Sequence, residues 1–208
     1  MNKSTILYCY KKNVEEENQK RLDELILGGS EEKIYKFKIK GLEKVLNEDL
    51  NFFENMKMKD LKLCKGARVM HLVNDSARSL WNGSTGIVEN VFDEYVEVLF
   101  EKGANFSYPR LIKIYYYNQS YDYYKNKTKQ VVCRSFIPLA LSWAMTIHKA
   151  QGSTLTNGIL SLMAFASGQV YTAISRFQDL NNLWITSFYK EKIIVDENCK
   201  LFYENLKN

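Results

Sequence analysis

Apolar residues gather in short runs along the chain, and their spacing predicts two kinds of structure. The opening run "STILYC" has the length of one strand, and "KKNVEEENQKRLDELILGG" behind it carries Val14, Leu22, Leu25 and Ile26 on one side of a charged helix that Gly28 and Gly29 end. A strand followed by a helix is the building block of an α/β sheet. From Ile34 to Lys65 the pattern is mixed, with "IYKFKI" read as a strand and "LNEDLNFFENM" as a short helix.

The middle changes period. "ARVMHLV", "TGIVENVF", "YVEVLFE" and "NFSYPRLIKIYYY" are β-rich runs separated by Asn-Gly, Asp-Glu and Lys-Gly turns, the pattern of a small antiparallel sheet or barrel. Then "QVVCRSFIPLAL" reads as a buried strand and "SWAMTIHKAQG" as a helix closed by Gly152. "GILSLMAF" follows as a strand, "SGQVYTAISR" as a helix capped by Ser167, "NLWITSF" as a strand and "DENCKLFYENLKN" as a last helix. These elements predict a mainly parallel sheet built from the N-terminal strand and from segments 131–139, 158–162 and 183–187. The expected domain, residues 1–65 with 131–208, carries an antiparallel β module inserted at 66–130.

Composition narrows the class. At 208 residues and 46% hydrophobic content the chain can build a real core. Cys9, Cys64, Cys133 and Cys199 form no Cys-x-x-Cys pair, so neither a zinc site nor a disulfide framework is indicated, and reduced cysteines in an intracellular protein are expected. No apolar run reaches membrane-spanning length, and "MNKSTILYCYKKN" lacks a signal peptide's apolar core, so no membrane partner is expected. The net charge of +5 is too small to define a polyanionic partner. Its distribution says more: between Asp122 and Asp179 there is no acidic residue, while Lys125, Lys127, Lys129, Arg134, Lys149 and Arg176 all fall there. Charge alone weighs equally for a phosphate-facing surface and for buried elements that simply lack acids.

One stretch concentrates chemistry. "AMTIHKAQGSTL" places Thr146, His148, Lys149, Gln151, Gly152 and Ser153 together in a chain with only two histidines and 10 glycines. A hydroxyl, an imidazole and an ammonium are suitable donors to a phosphate backbone, and a glycine permits close approach to a phosphate. Elsewhere a lone histidine would be read as a packing residue, and Arg176 at the end of "VYTAISR" as a surface arginine favoured by a helix dipole. No glycine is followed by lysine, so the phosphate-cradling G-x-x-x-x-G-K-[ST] loop is absent from this sequence. "IVENVFDEY" imitates a magnesium-binding carboxylate motif, but its place between two strand signals makes Asp93 and Glu94 a hairpin turn, and no metal site is expected.

"FIPLALSWAMTIHKAQGSTL" followed by "FASGQVYTAISRFQDLNNLWITSF" resembles the last two signature motifs of the Pif family of superfamily 1 DNA helicases, with RecD-like helicases as nearest relatives. "CKGARVMHLVNDSARSLWNGSTGIVENV" resembles the same family's segment before and within its inserted Src-homology-like barrel. "TILYCYKKNVEEENQKRL" resembles the motif opening the second RecA-like motor domain, with Val14 and Asn18 in register and the usual polar opening altered to Tyr8-Cys9-Tyr10-Lys11. The resemblance implies a RecA-like second motor domain of the P-loop NTPase type with an inserted small antiparallel β-barrel, the rear half of an ATP-dependent helicase moving 5′ to 3′ on single-stranded DNA. It implies that Thr146, His148 and Lys149 contact DNA, that Gln151, Gly152 and Ser153 face the nucleotide, and that Arg176 is an arginine finger. ATP and Mg would be held mainly by a P-loop-bearing first RecA-like domain, in cis or in trans, so this chain alone is expected to be inactive.

Tyr171 and Gln169 are compatible with packing and with nucleotide contact alike. Tyr115 and Tyr117 are read as barrel packing, and Trp81 as either packing or base stacking. Two further readings stand beside the motor half: a stand-alone nucleic-acid-binding module without an ATPase half, and a relaxase-associated or RecD-type motor. Residence in nucleus, mitochondrion, or prokaryotic or viral cytoplasm is equally compatible with the sequence.

Overall fold

The structure is a computed structural model that describes residues 4–41, 58–101, 108–125 and 128–206. The helix expected at "LNEDLNFFENM" lies outside the described residues. In chain order the elements are β1 (Thr5–Tyr8), α1 (Lys11–Leu27), β2 (Glu32–Tyr35), β3 (Lys38–Lys40), β4 (Leu61–Cys64), β5 (Arg68–His71), β6 (Thr85–Val91) and β7 (Tyr95–Phe100). They continue with β8 (Arg110–Tyr115), β9 (Tyr117–Lys125), β10 (Thr128–Phe136), β11 (Leu139–Leu141), β12 (Ala144–Thr146), β13 (Gly158–Leu162), α2 (Gln169–Ile174), β14 (Leu183–Phe188) and α3 (Glu197–Asn205). Two compact units result, one of Met1–Arg21 with Leu141–Asn208 and one of Leu22–Ala140.

The first unit holds a four-stranded sheet in the order β12-β1-β13-β14, and every pairing in it is parallel. β1 is central, with Thr5, Ile6 and Leu7 all buried, as a strand covered on both faces requires. Gly158 opens β13 where a Cβ would lie 2.7 Å from the Thr5 carbonyl oxygen and 2.8 Å from the Phe177 ring, so only glycine lets strand and ring approach.

Two sequence expectations fail here. Segment 131–139 does not join the parallel sheet: β10 pairs antiparallel with β9 and β3. Its run looked fully buried, yet Val132 and Phe136 point inward while Val131 is half exposed, so it is a one-faced strand. Its place beside β1 is taken by β12, a three-residue strand inside the stretch expected to be helical. Hydrogen bonds from the Ile6 amide to the Trp143 carbonyl and from the Ile147 amide to the Tyr8 carbonyl pin that stretch extended, overriding its helical spacing. The cap of α2 also differs. It is Gly168 at φ 70°, a left-handed position that favours glycine over the expected Ser167.

The second unit contains a five-stranded sheet in the order β11-β5-β6-β7-β8, a three-stranded sheet β3-β10-β9 and the pair β2-β4. Alternation builds its core: Val96, Val98 and Phe100 of β7 and Ile112 and Ile114 of β8 are buried. Asp93 and Glu94 lie in the turn between β6 and β7, where Asp93 pairs with Lys33. The Tyr35 hydroxyl donates to the Phe92 carbonyl at 2.7 Å behind that turn, and burial pushes its pKa up to about 12. Tyr115 and Tyr117 are exposed, contrary to their reading as core: Tyr115 leans on Tyr95 and Tyr117 on Phe136, outside the buried layer. Trp81 is likewise exposed.

His71 ends β5 fully buried, with Nδ1 2.7 Å from the Val73 carbonyl oxygen and the Phe100 ring edge-on. Burial pushes its pKa below the usual histidine value, outweighing the Val73 carbonyl and Asp75, which pull it up. The neutral ring is therefore favoured in the folded state. Its contribution is complete above the unfolded value of about 6.5 and is lost as pH falls below it, because the unfolded chain then binds more protons. Thermal melts should show a midpoint that drops as pH is lowered through that window, with His71→Gln flattening the dependence. Gly158→Ala should destabilise the chain by about 1–3 kcal/mol in denaturant titrations, through overlap with Thr5 and Phe177.

Candidate functional site

Open parallel sheets bind ligands at the carboxyl ends of their strands, and the polar motif lies there. Thr146 is the last residue of β12, in register with Tyr8 of β1. Beyond it the chain folds into a tight turn. The Ala150 amide donates to the Thr146 carbonyl at 3.1 Å, the Gln151 amide to the His148 carbonyl at 3.2 Å, and the Lys149 amide to Thr146 Oγ1 at 3.3 Å. Ile147 and Ala150 are buried and anchor the turn, which leaves His148, Lys149 and Gln151 exposed. Ser153 closes it, its Oγ donating to the Ala150 carbonyl at 2.6 Å. Gly152, at φ 82°, has open space where a Cβ would stand, so a ligand could reach its backbone.

The second motif is fastened to the first by backbone. The Leu155 amide donates to the Arg176 carbonyl at 2.8 Å and the Gln178 amide to the Leu155 carbonyl at 3.1 Å, forming a parallel bridge between Leu155 and Phe177. Arg176 itself is half-buried. Its Nε donates to the Thr172 carbonyl and its Nη2 to Ser175 Oγ, both at 3.1 Å, which orients the guanidinium and leaves Nη1 for another acceptor. Among the described residues no hydrogen bond or ion pair joins the side chain of Arg176 to those of Thr146, His148 or Lys149.

The two open residues of α2 separate. Tyr171 is 78% exposed and so is not a packing residue of this unit. Gln169 is buried, its Oε1 accepting from the Phe165 amide at 3.1 Å, so it organises the loop after β13. Among the described residues no cluster of His, Cys, Asp or Glu could hold a metal ion, and no helix is long and apolar enough to cross a membrane.

Asn18 is the residue whose part the sequence did not disclose. Buried on α1, it accepts from the Ala144 amide at 2.9 Å and donates to the Ala144 and Leu141 carbonyls at 3.0 and 3.4 Å. Its amide thus replaces a strand partner along β12, whose outer edge pairs with no strand among the described residues. The available signal was its register with the resembling motif; helix propensity does not single it out, since Asn13 is an equally poor helix former in the same helix.

A parallel α/β unit with two polar motifs fastened together at its carboxyl edge is an arrangement that open α/β sheets use to bind phosphate-bearing ligands. No protein-family model matches the chain. It is 33% identical over 153 residues to the ATP-dependent DNA helicase PIF1 of Danio rerio, a match covering 71% of this chain and 22% of the relative. A crystal structure of Bacteroides Pif1 bound to single-stranded DNA superposes with a TM-score of 0.74 at 30% identity, over 100% of this chain and 46% of that one. The Pif1 helicase of Candida albicans, at 23% identity, shares the fold with a TM-score of 0.82, over 98% of this chain and 49% of that one. The chain belongs to the Pif1 helicase family and spans about half the length of these solved relatives.

Replacing the Asn18 amide strands one buried amide and one buried carbonyl of Ala144. Asn18→Leu should therefore lower stability by roughly 2 kcal/mol or more in denaturant titrations. Asn18→Asp keeps the acceptor and holds a donor only while protonated, so its deficit should grow with rising pH as the carboxyl ionises against two carbonyls.

Proposed function

We propose that this chain supplies the second RecA-like motor half of an ATP-dependent DNA helicase that moves 5′ to 3′ on single-stranded DNA. The observation that carries the reading is the turn 146–153, which presents Thr146, His148 and Lys149 at the carboxyl edge and is fastened through Leu155 to the backbone of Arg176. In this reading the hydroxyl, imidazole and ammonium hold the phosphate backbone, and Gln151, Gly152 and Ser153 face the nucleotide. Family membership supports it, as does the single-stranded DNA bound by the Bacteroides relative.

The nucleotide's own requirements are met only in part by these residues. Gly152 offers open backbone and Arg176 an oriented cation, but no described cluster holds a metal, and the sequence lacks a phosphate-cradling loop. ATP and Mg therefore belong mainly to a P-loop-bearing first domain, in cis or in trans. Closure of that domain on this one would bring Arg176 toward the γ-phosphate, where a planar cation stabilises charge developing in the transition state. The inserted module, placed by sequence at 66–130, is proposed as a small Src-homology-like barrel.

The isolated chain should bind thymidine oligomers weakly and with strong salt dependence, measured by fluorescence anisotropy, and should not hydrolyse ATP. Alanine at Thr146, His148 and Lys149 together should weaken binding and flatten the salt slope; unchanged binding would move the site elsewhere. Joined to a P-loop-bearing half, Arg176→Lys should lower turnover by about 10³-fold or more with nucleotide affinity much less affected. Turnover that survives Arg176→Ala would return this residue to a structural role.

A further inference from the structure

Two aromatic rings stand on the same carboxyl edge. Tyr10 follows β1 and Phe165 follows β13, neighbouring strands of the parallel sheet. Their ring centroids lie 4.9 Å apart with planes 33° from parallel, yet Tyr10 is 45% exposed and Phe165 50%. Pairs that serve packing bury their faces, whereas this pair meets on one side and leaves the rest to solvent.

Neither ring hangs on a loose segment. The Tyr10 carbonyl accepts from the Val14 amide in the first turn of α1, and the Phe165 amide donates to the buried side chain of Gln169. Gln169 is 5% exposed, so a buried amide is committed to holding the backbone under an exposed ring. Tyr10 also lies two residues beyond Tyr8, whose register partner is Thr146, the first residue of the phosphate-facing turn. A strand held by its phosphates at Thr146 and Lys149 would turn its bases to a neighbouring surface, and a flat π face is what an unpaired base covers well.

We propose that Tyr10 and Phe165 form a stacking platform for a nucleobase, an inference that rests on reading this edge as a phosphate-binding site. The base comes either from single-stranded DNA or from the nucleotide. The stacking chemistry is the same for both, and neither source requires sequence readout.

The test compares three probes on the chain and on Tyr10→Ala, Phe165→Ala and Tyr10→Trp: a thymidine oligomer of about a dozen nucleotides, an abasic oligomer of the same length, and ADP. The parent should bind the thymidine oligomer more tightly than the abasic one. Each alanine variant should lose about tenfold toward thymidine and nothing toward the abasic backbone, at an unchanged melting temperature, while Tyr10→Trp retains affinity. Loss confined to ADP would assign the base to the nucleotide and also support the platform. Equal binding of both oligomers by the parent, with ADP binding insensitive to the alanine variants, would overturn the platform while leaving the phosphate site intact. Equal losses toward thymidine and abasic oligomers would overturn it too, since the rings would then only shape the loop. Failure of the parent to bind any of the three probes would remove the phosphate site, and the platform with it.

Discussion

The short strand Ala144–Thr146 governs the functional edge, and it survives because both of its sides are satisfied. One side pairs with β1; the other meets the Asn18 amide, which returns a donor and an acceptor to the Ala144 backbone. Three residues of edge strand have little stability of their own, since unpaired backbone groups compete for water and for helical partners. With the clamp in place, Thr146 is fixed beside Tyr8, and the turn behind it begins from a defined point. The site is therefore set by a residue far away in sequence, on a helix that carries none of the chemistry.

The sequence made much of this legible, and unequally. The β-α opening, the β-rich middle, β13, β14 and the last helix were readable because each has a full period of its own pattern. β12 was not, because a three-residue strand is shorter than any periodicity and "SWAMTIHKAQG" satisfies a helical template equally well. β10 was misplaced for a related reason. A continuous apolar run cannot declare whether both faces are covered, and here only the face with Val132 and Phe136 is.

Motif order and spacing single out the candidate residues by type, but they say nothing of the geometry around them. Nothing in "FASGQ" announces that Gln169 is buried and holds the Phe165 backbone, because that bond spans a loop whose course depends on a left-handed Gly168. Tyr115 and Tyr117 show the converse. Aromatic alternation suggested core, but the buried positions of β8 were taken by Ile112 and Ile114, leaving Tyr115 and Tyr117 exposed on either side of a half-buried Tyr116.

The segment from Thr146 to Leu155 also has a mechanical character that follows from its anchors. One end is pinned by β1 and Asn18, and the other by the reciprocal bonds of Leu155 with Arg176 and Gln178. Ile147 and Ala150 bury the middle, so the turn has little freedom to deform internally. A segment tethered in this way moves as a piece when either end is displaced, whereas a loose loop would absorb the displacement. On the proposed reading of this edge, Thr146 and Lys149 at one end and Arg176 at the other would be coupled through such an element without any direct contact between their side chains. That coupling would depend on backbone hydrogen bonds, which substitutions at the exposed His148 and Lys149 leave untouched and substitutions at the buried anchors Ile147 and Ala150 disturb.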